Sequence, residues 1–129
     1  MTDNDLYQEV ILEEFAHPQH FGEMADAQHK IPGMNPSCGD KLTLYLKLDK
    51  TGTKITNLTW NGEGCAVSMS AMSVLAAKIN HEQMSVQDLL ALSKANLEEM
   101  LGLPEITSAR VKCLTLGLHT LQSFFNNKK

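Results

Sequence analysis

The chain has 129 residues, 43% hydrophobic and 20% charged, the size and balance of an ordinary globular protein that folds as one domain over 1–129. Its net charge of −4 argues against nucleic acid as a partner. No run approaches the roughly 18 apolar residues of a membrane span, and the acidic, polar start Met1-Thr2-Asp3-Asn4-Asp5 does not resemble a secretory leader, so a cytoplasmic, reducing compartment is expected.

Asp5 to Ala16 places Leu6, Val10 and Phe15 at helical spacing and stops at His17-Pro18, which predicts a first helix. Residues 18–36, rich in Pro, Gly, His and Met, read as loop with a short strand near Gln28–Ile31. From Lys41 to Lys50, Leu42, Leu44, Leu46 and Leu48 alternate with Lys41, Thr43, Tyr45 and Lys47, the pattern of a half-buried strand. Asp49-Lys50-Thr51-Gly52 makes a turn, Lys54–Asn61 returns as a second strand, and Gly62-Glu63-Gly64 breaks it.

Cys65 to Ile79 then predicts a helix that is small on most faces. Ser85 caps a short helix ending near Leu92. Lys94–Leu101 is another, closed by Gly102 and Pro104. Ser108 to Phe125 carries Val111, Leu114, Leu118, Leu121 and Phe125 at helical spacing. Strands followed only by helices give an α+β fold, a small antiparallel sheet of two to three strands under about five helices.

Each of the three cysteines falls at a junction. Cys38 lies in Asn35-Pro36-Ser37-Cys38-Gly39-Asp40 just before a strand, while Cys65 follows Gly62-Glu63-Gly64 and Cys113 follows Arg110-Val111-Lys112. An odd count speaks against a pure disulfide framework. Three thiols and one carboxylate instead supply four ligands, the number that a tetrahedral metal site takes. Cys65 falls where unpaired N–H groups and the helix dipole would stabilise an anion, and the preceding glycines allow backbone to come close. Gly39 permits a tight turn between Cys38 and Asp40. Three thiolates and one carboxylate around Zn²⁺ leave excess negative charge, for which Arg110 and Lys112 are the nearby cations. The bland alternative is that all three cysteines are small core residues.

These motifs, Asn35-Pro36-Ser37-Cys38-Gly39-Asp40, Gly62-Glu63-Gly64-Cys65-Ala66-Val67-Ser68 and Arg110-Val111-Lys112-Cys113, resemble the three cysteine motifs of the IscU/SufU family of iron–sulfur cluster assembly proteins. Leu6-Tyr7-Gln8-Glu9-Val10-Ile11-Leu12 and His17-Pro18 resemble that family's first helix, so the similarity covers nearly the whole chain. The resemblance implies one site built from Cys38, Asp40, Cys65 and Cys113. Such a site holds zinc or receives sulfur from a cysteine desulfurase, and in scaffold members it carries iron in a transient [2Fe–2S] cluster passed to apo iron–sulfur proteins or downstream assembly factors. Lys112 stands where the scaffold branch usually has His, which brings the chain closer to the SufU branch. That likeness makes Cys38 the persulfide-carrying residue, with Arg110 assisting. The segment between Cys65 and Cys113 is shorter than in SufU-type chains, and no Leu-Pro-Pro-Val-Lys motif precedes Cys113, so an Hsp70 partner is not expected.

Three functions compete on this sequence: a zinc-dependent sulfur acceptor, a non-catalytic cluster scaffold, and a structural zinc domain that binds partners. A cysteine hydrolase is a distant fourth, because no His is placed by the sequence to serve as its base. His119, about 240° around the helix from Cys113, is expected at the surface, as are His17 and His20. The seven methionines are spread along the chain and read as core, and Trp60 is expected to pack on the sheet beside the Cys65 loop.

Overall fold

The computed structural model describes residues 3–35, 39–102 and 108–126. The elements run α1 (Asp3–Ala16), β1 (His29–Asn35), β2 (Asp40–Leu48), β3 (Ile55–Glu63), α2 (Ala66–Glu82), α3 (Val86–Ala91), α4 (Lys94–Leu101) and α5 (Ser108–Asn126). The strands form an antiparallel sheet in the order β1-β2-β3. This is the expected α+β arrangement of three strands and five helices.

The alternating leucines put Leu42, Leu44 and Leu46 into the core from the central strand. Ile31, Leu44 and Trp60 lie side by side across the three strands, and all three are buried. Trp60 is fully buried, and its indole N–H donates to the Gln19 carbonyl at 2.9 Å. Tyr45 points to the opposite face yet is also buried. Its ring lies under the Lys30 ammonium, 5.9 Å from the centroid, and its hydroxyl accepts from the Asn61 amide at 3.3 Å.

Two strand boundaries differ from expectation. β1 continues through Pro32 and Gly33 to Asn35, in a segment expected to be mostly loop. It is an edge strand, where a missing proline N–H need cost no ladder bond. Gly33 is required there, because a Cβ would lie 2.3 Å from the Thr120 hydroxyl oxygen on α5. β3 likewise runs through Gly62 to Glu63. Gly62 does not break the strand; it lets β3 approach β2, since a Cβ would come within 2.2 Å of the Lys41 carbonyl.

The outer edge of β3 is covered from Ile55 to Trp60. Trp60 exchanges backbone bonds with His20 and Gly22, and the Ile55 N–H donates to Met84. Between them the Asn80 side chain imitates a strand, accepting from Leu58 N–H at 2.9 Å and donating to the Leu58 carbonyl at 2.8 Å. Over that stretch the backbone groups of the edge are not left as a template for another chain.

α2 is the central helix, in contact with α1, α4, α5 and β3. Its small residues follow from that: Ser68, Ser70, Ala71, Ser73 and Ala76 are all buried. Each serine is paired. Ser70 donates to the Ala66 carbonyl at 2.6 Å, Ser73 accepts the Gln19 N–H at 2.8 Å, and Ser68 donates to Asp40. α5 approaches closely at Gly117, where a Cβ would lie 2.3 Å from the Met72 sulfur. The shorter helices have local signals. Ser85 accepts from Asp88 N–H at 3.0 Å to start α3, Asn96 accepts from Ser93 N–H at 2.8 Å to start α4, and Gly102 ends α4 at φ 69°. Among the described residues, no helix is long and apolar enough to cross a membrane.

Because Asn80 satisfies both backbone groups of Leu58, Asn80→Ala is expected to lower unfolding free energy by about 1–3 kcal/mol. Urea titration checks this; a loss under about 0.5 kcal/mol would show that water replaces the amide.

Candidate metal centre

Asp40 is the first residue of β2, in phase with Leu42, Leu44 and Leu46, so its carboxylate faces the helices. The turn before it closes at Gly39, whose φ of 74° suits glycine and whose N–H donates to the Asn35 carbonyl at 2.9 Å. Asp40 is only 1% exposed. A buried carboxylate is costly unless it is well bonded, and the start of α2 supplies the bonds. Cys65 N–H donates to Asp40 Oδ1 at 3.0 Å, and the Ser68 hydroxyl donates to Oδ2.

Cys65 is the N-cap of α2, and its sulfur accepts Ser68 N–H at 3.5 Å, standing in for the usual Ser or Asp oxygen. Its Sγ lies 3.8 Å from Asp40 Oδ2. Cys113 is carried by α5 and is buried, 6% exposed. Cys65 and Cys113 are thiols rather than disulfide halves. One ligand atom from each of Asp40, Cys65 and Cys113 lies within 4.8 Å of the others.

Those distances can be set against a metal's needs. Zinc bonds of about 2.3 Å to sulfur and about 2.0–2.2 Å to oxygen put tetrahedral ligand atoms roughly 3.5–3.8 Å apart. The Cys65–Asp40 pair at 3.8 Å is already at that separation, and the widest pair needs to close by about an ångström or less. Two thiols and a carboxylate also suit zinc and iron better than the harder magnesium or calcium. The residues fit such an ion.

Of the expected site residues, the structure brings together Asp40, Cys65 and Cys113, from a strand, a helix N-terminus and a second helix. Cys38 lies outside the described residues. Arg110 belongs to the first turn of α5, and its side chain lies outside the described part. Lys112 is exposed and borders a groove of about 620 Å³ between β1 and α5, with Asn35, Leu116 and His119 along it. His17, His20 and His119 are exposed.

Two residues of the second cysteine motif have a role that the sequence does not reveal, contact with Asp40. Ser68 joins Asp40 to the Cys65 cap, and its only sequence signal is a hydroxyl three positions after the cap. Gly64 was read as giving room beside Cys65, but the group it admits is Asp40: a Cβ at position 64 would lie 2.5 Å from Oδ1.

Residues 6–127 match the family model described as the NifU-like N terminal domain. The chain belongs to this NifU-like family, which bears out the IscU/SufU resemblance of the cysteine motifs. Among curated relatives, the zinc-dependent sulfurtransferase SufU of Bacillus subtilis (strain 168) is 28% identical over 134 residues, covering 91% of this chain and 87% of that protein. The iron–sulfur cluster assembly scaffold protein IscU of Thermotoga maritima is 30% identical over 133 residues, covering 91% and 90%. The NifU-like fold recurs in a crystal structure of a hypothetical protein, at TM-score 0.79 and 24% identity over 96% of this chain and 99% of that one. It recurs also in a putative scaffold protein for the SUF system from Fervidobacterium islandicum AW-1, at TM-score 0.70 and 24% identity, covering 93% and 96%.

Since Gly64 leaves room for the Asp40 carboxylate, Gly64→Ala is expected to weaken zinc binding by about 10–100-fold, as displaced metal supports commonly do. Competition with a chromogenic chelator reads this directly. Unchanged affinity would mean that Asp40 takes no part in holding the ion.

Proposed function

We propose that this chain acts in iron–sulfur cluster assembly, accepting sulfur as a persulfide from a cysteine desulfurase at a zinc site of Cys38, Asp40, Cys65 and Cys113. The observation that carries this reading is the convergence of Asp40, Cys65 and Cys113 within 4.8 Å from three separate elements. Likeness to a zinc-dependent sulfurtransferase over nearly the whole chain supports it, as does Lys112 before the third cysteine.

Zinc, when bound, supplies a Lewis acid that keeps cysteine sulfurs as thiolates at neutral pH. Asp40, Cys65 and Cys113 hold the site, the first two anchored to each other through the start of α2. Cys38, two residues before Asp40 in sequence, is the thiol that takes sulfur. Its thiolate attacks the outer sulfur of the donor's persulfide; a new S–S bond forms to Cys38 while the donor's S–S bond breaks. The donor leaves as a thiolate, so no external oxidant or reductant is consumed. Arg110 assists this exchange, and the sulfur then passes to apo iron–sulfur proteins or further assembly factors. By this reading the protein is a zinc-dependent sulfurtransferase that works beside its desulfurase.

A second reading is favoured by the relatives named as IscU scaffolds. The same donors would bind iron, and a [2Fe–2S] cluster would be the cargo built and handed on.

Metal and acid-labile sulfide measured on protein purified without oxygen separate the two. The expected result is about one zinc per chain with no sulfide, as a single tetrahedral site requires. Desulfurase turnover should then rise on adding the protein, and Cys38→Ala should abolish that rise. Iron with matching sulfide would replace this reading with the scaffold, and neither metal would sink both.

A further inference from the structure

The Ser68 hydroxyl stands between two of the three converging residues. It donates to Asp40 Oδ2, and its oxygen is 3.5 Å from Cys65 Sγ. Ser68 is 1% exposed, and its own N–H caps onto the Cys65 sulfur. The Asp40 carboxylate therefore has both oxygens engaged, Oδ1 by Cys65 N–H and Oδ2 by Ser68. The two donors lie three residues apart at one helix start, so the carboxylate is gripped by a rigid element.

This grip has a consequence for any ion held there. A carboxylate supported by a fixed donor presents its remaining lone pairs in one direction, which lowers the ordering cost of coordination. The same donor keeps the buried charge partnered when the ion is absent, so the carboxylate can take up or release a metal without being left bare. Cys65 N–H does this for Oδ1 through the backbone, which no side-chain change removes. Ser68 does it for Oδ2, the oxygen beside the Cys65 sulfur.

We propose that Ser68 is the positioning residue of the metal centre, holding Asp40 by Oδ2 and so setting the strength of the Asp40–metal bond. This rests on the reading of Asp40, Cys65 and Cys113 as a metal site. Ser68 touches no substrate; it acts through Asp40.

The test is a double-mutant cycle on zinc affinity with Ser68→Ala, Asp40→Ala and the double variant, read by chelator competition, with apo-protein thermal unfolding in parallel. Ser68→Ala is expected to weaken zinc binding by about 10–100-fold. In the Asp40→Ala background the same change is expected to cost less than about threefold, because its target is gone. Apo-protein Tm should show the same coupling, falling with Ser68→Ala only when Asp40 is present, a result that needs no metal. An equal loss of affinity in both backgrounds would mean that Ser68 acts through Cys65 or general packing and would overturn the proposal. So would an unaltered affinity in Ser68→Ala. If the unmodified chain binds no zinc, the metal-site reading fails and this role fails with it; normal binding that ignores Ser68 overturns the role alone.

Discussion

The structure turns on one buried carboxylate. Asp40 begins the central strand and faces the helix layer, where an unpartnered charge would be expensive. Its partners include the N–H of Cys65 and the hydroxyl of Ser68, both at the start of α2. Helix N-termini carry unpaired donors and a positive dipole end, so the strand's liability and the helix's surplus cancel. That contact ties the head of β2 to the head of α2, and it brings a carboxylate to 3.8 Å from a thiol.

The third side chain reaches this place by packing. α2 is enclosed by neighbours, and its small residues let them come close. At Gly117 the backbone of α5 lies so near Met72 that no side chain fits between. This close approach fixes the distance between the two helices, and with it the position of Cys113 one turn earlier on α5. The contact of Gly33 with Thr120 holds α5 against β1 from the other side. The glycines at 33, 64 and 117 thus do one kind of work at three places: each removes a Cβ so that a neighbouring element, or Asp40 itself, can move in. Isolated cysteines in a flexible chain would carry no defined geometry; here two helices and a strand hold one donor atom each from Asp40, Cys65 and Cys113 within 4.8 Å of one another.

Much of this was legible in the sequence because it is local. Ser85 and Gly102 mark helix ends by their own chemistry, and the leucines of β2 announce a strand by period alone. Where the reading failed, a distant partner decided. Pro32 and Gly33 look like loop until β1 is known to be an edge strand lying against α5. Gly62 looks like a breaker until the Lys41 carbonyl is known to need its space. The site divides in the same way. Asp40, Cys65 and Cys113 were picked out by motif and resemblance, but their meeting point depends on how α5 lies on α2, which no spacing along the chain encodes. The role of Ser68 was not legible because a serine near a helix start is ordinary, and only Asp40, twenty-eight positions earlier, makes it specific.

The donors also differ in a way that bears on exchange. Asp40 and Cys113 are buried, whereas Cys65 is partly open. Oxygen is the harder donor and the poorer match for a thiophilic ion, so in a metal site a bond from Asp40 would be the one most in need of support from behind. That support is present in the donors from the start of α2. The fold thus gives its hardest donor two hydrogen bonds from a helix start, and ties the Cys65 sulfur to that same start through Ser68 N–H.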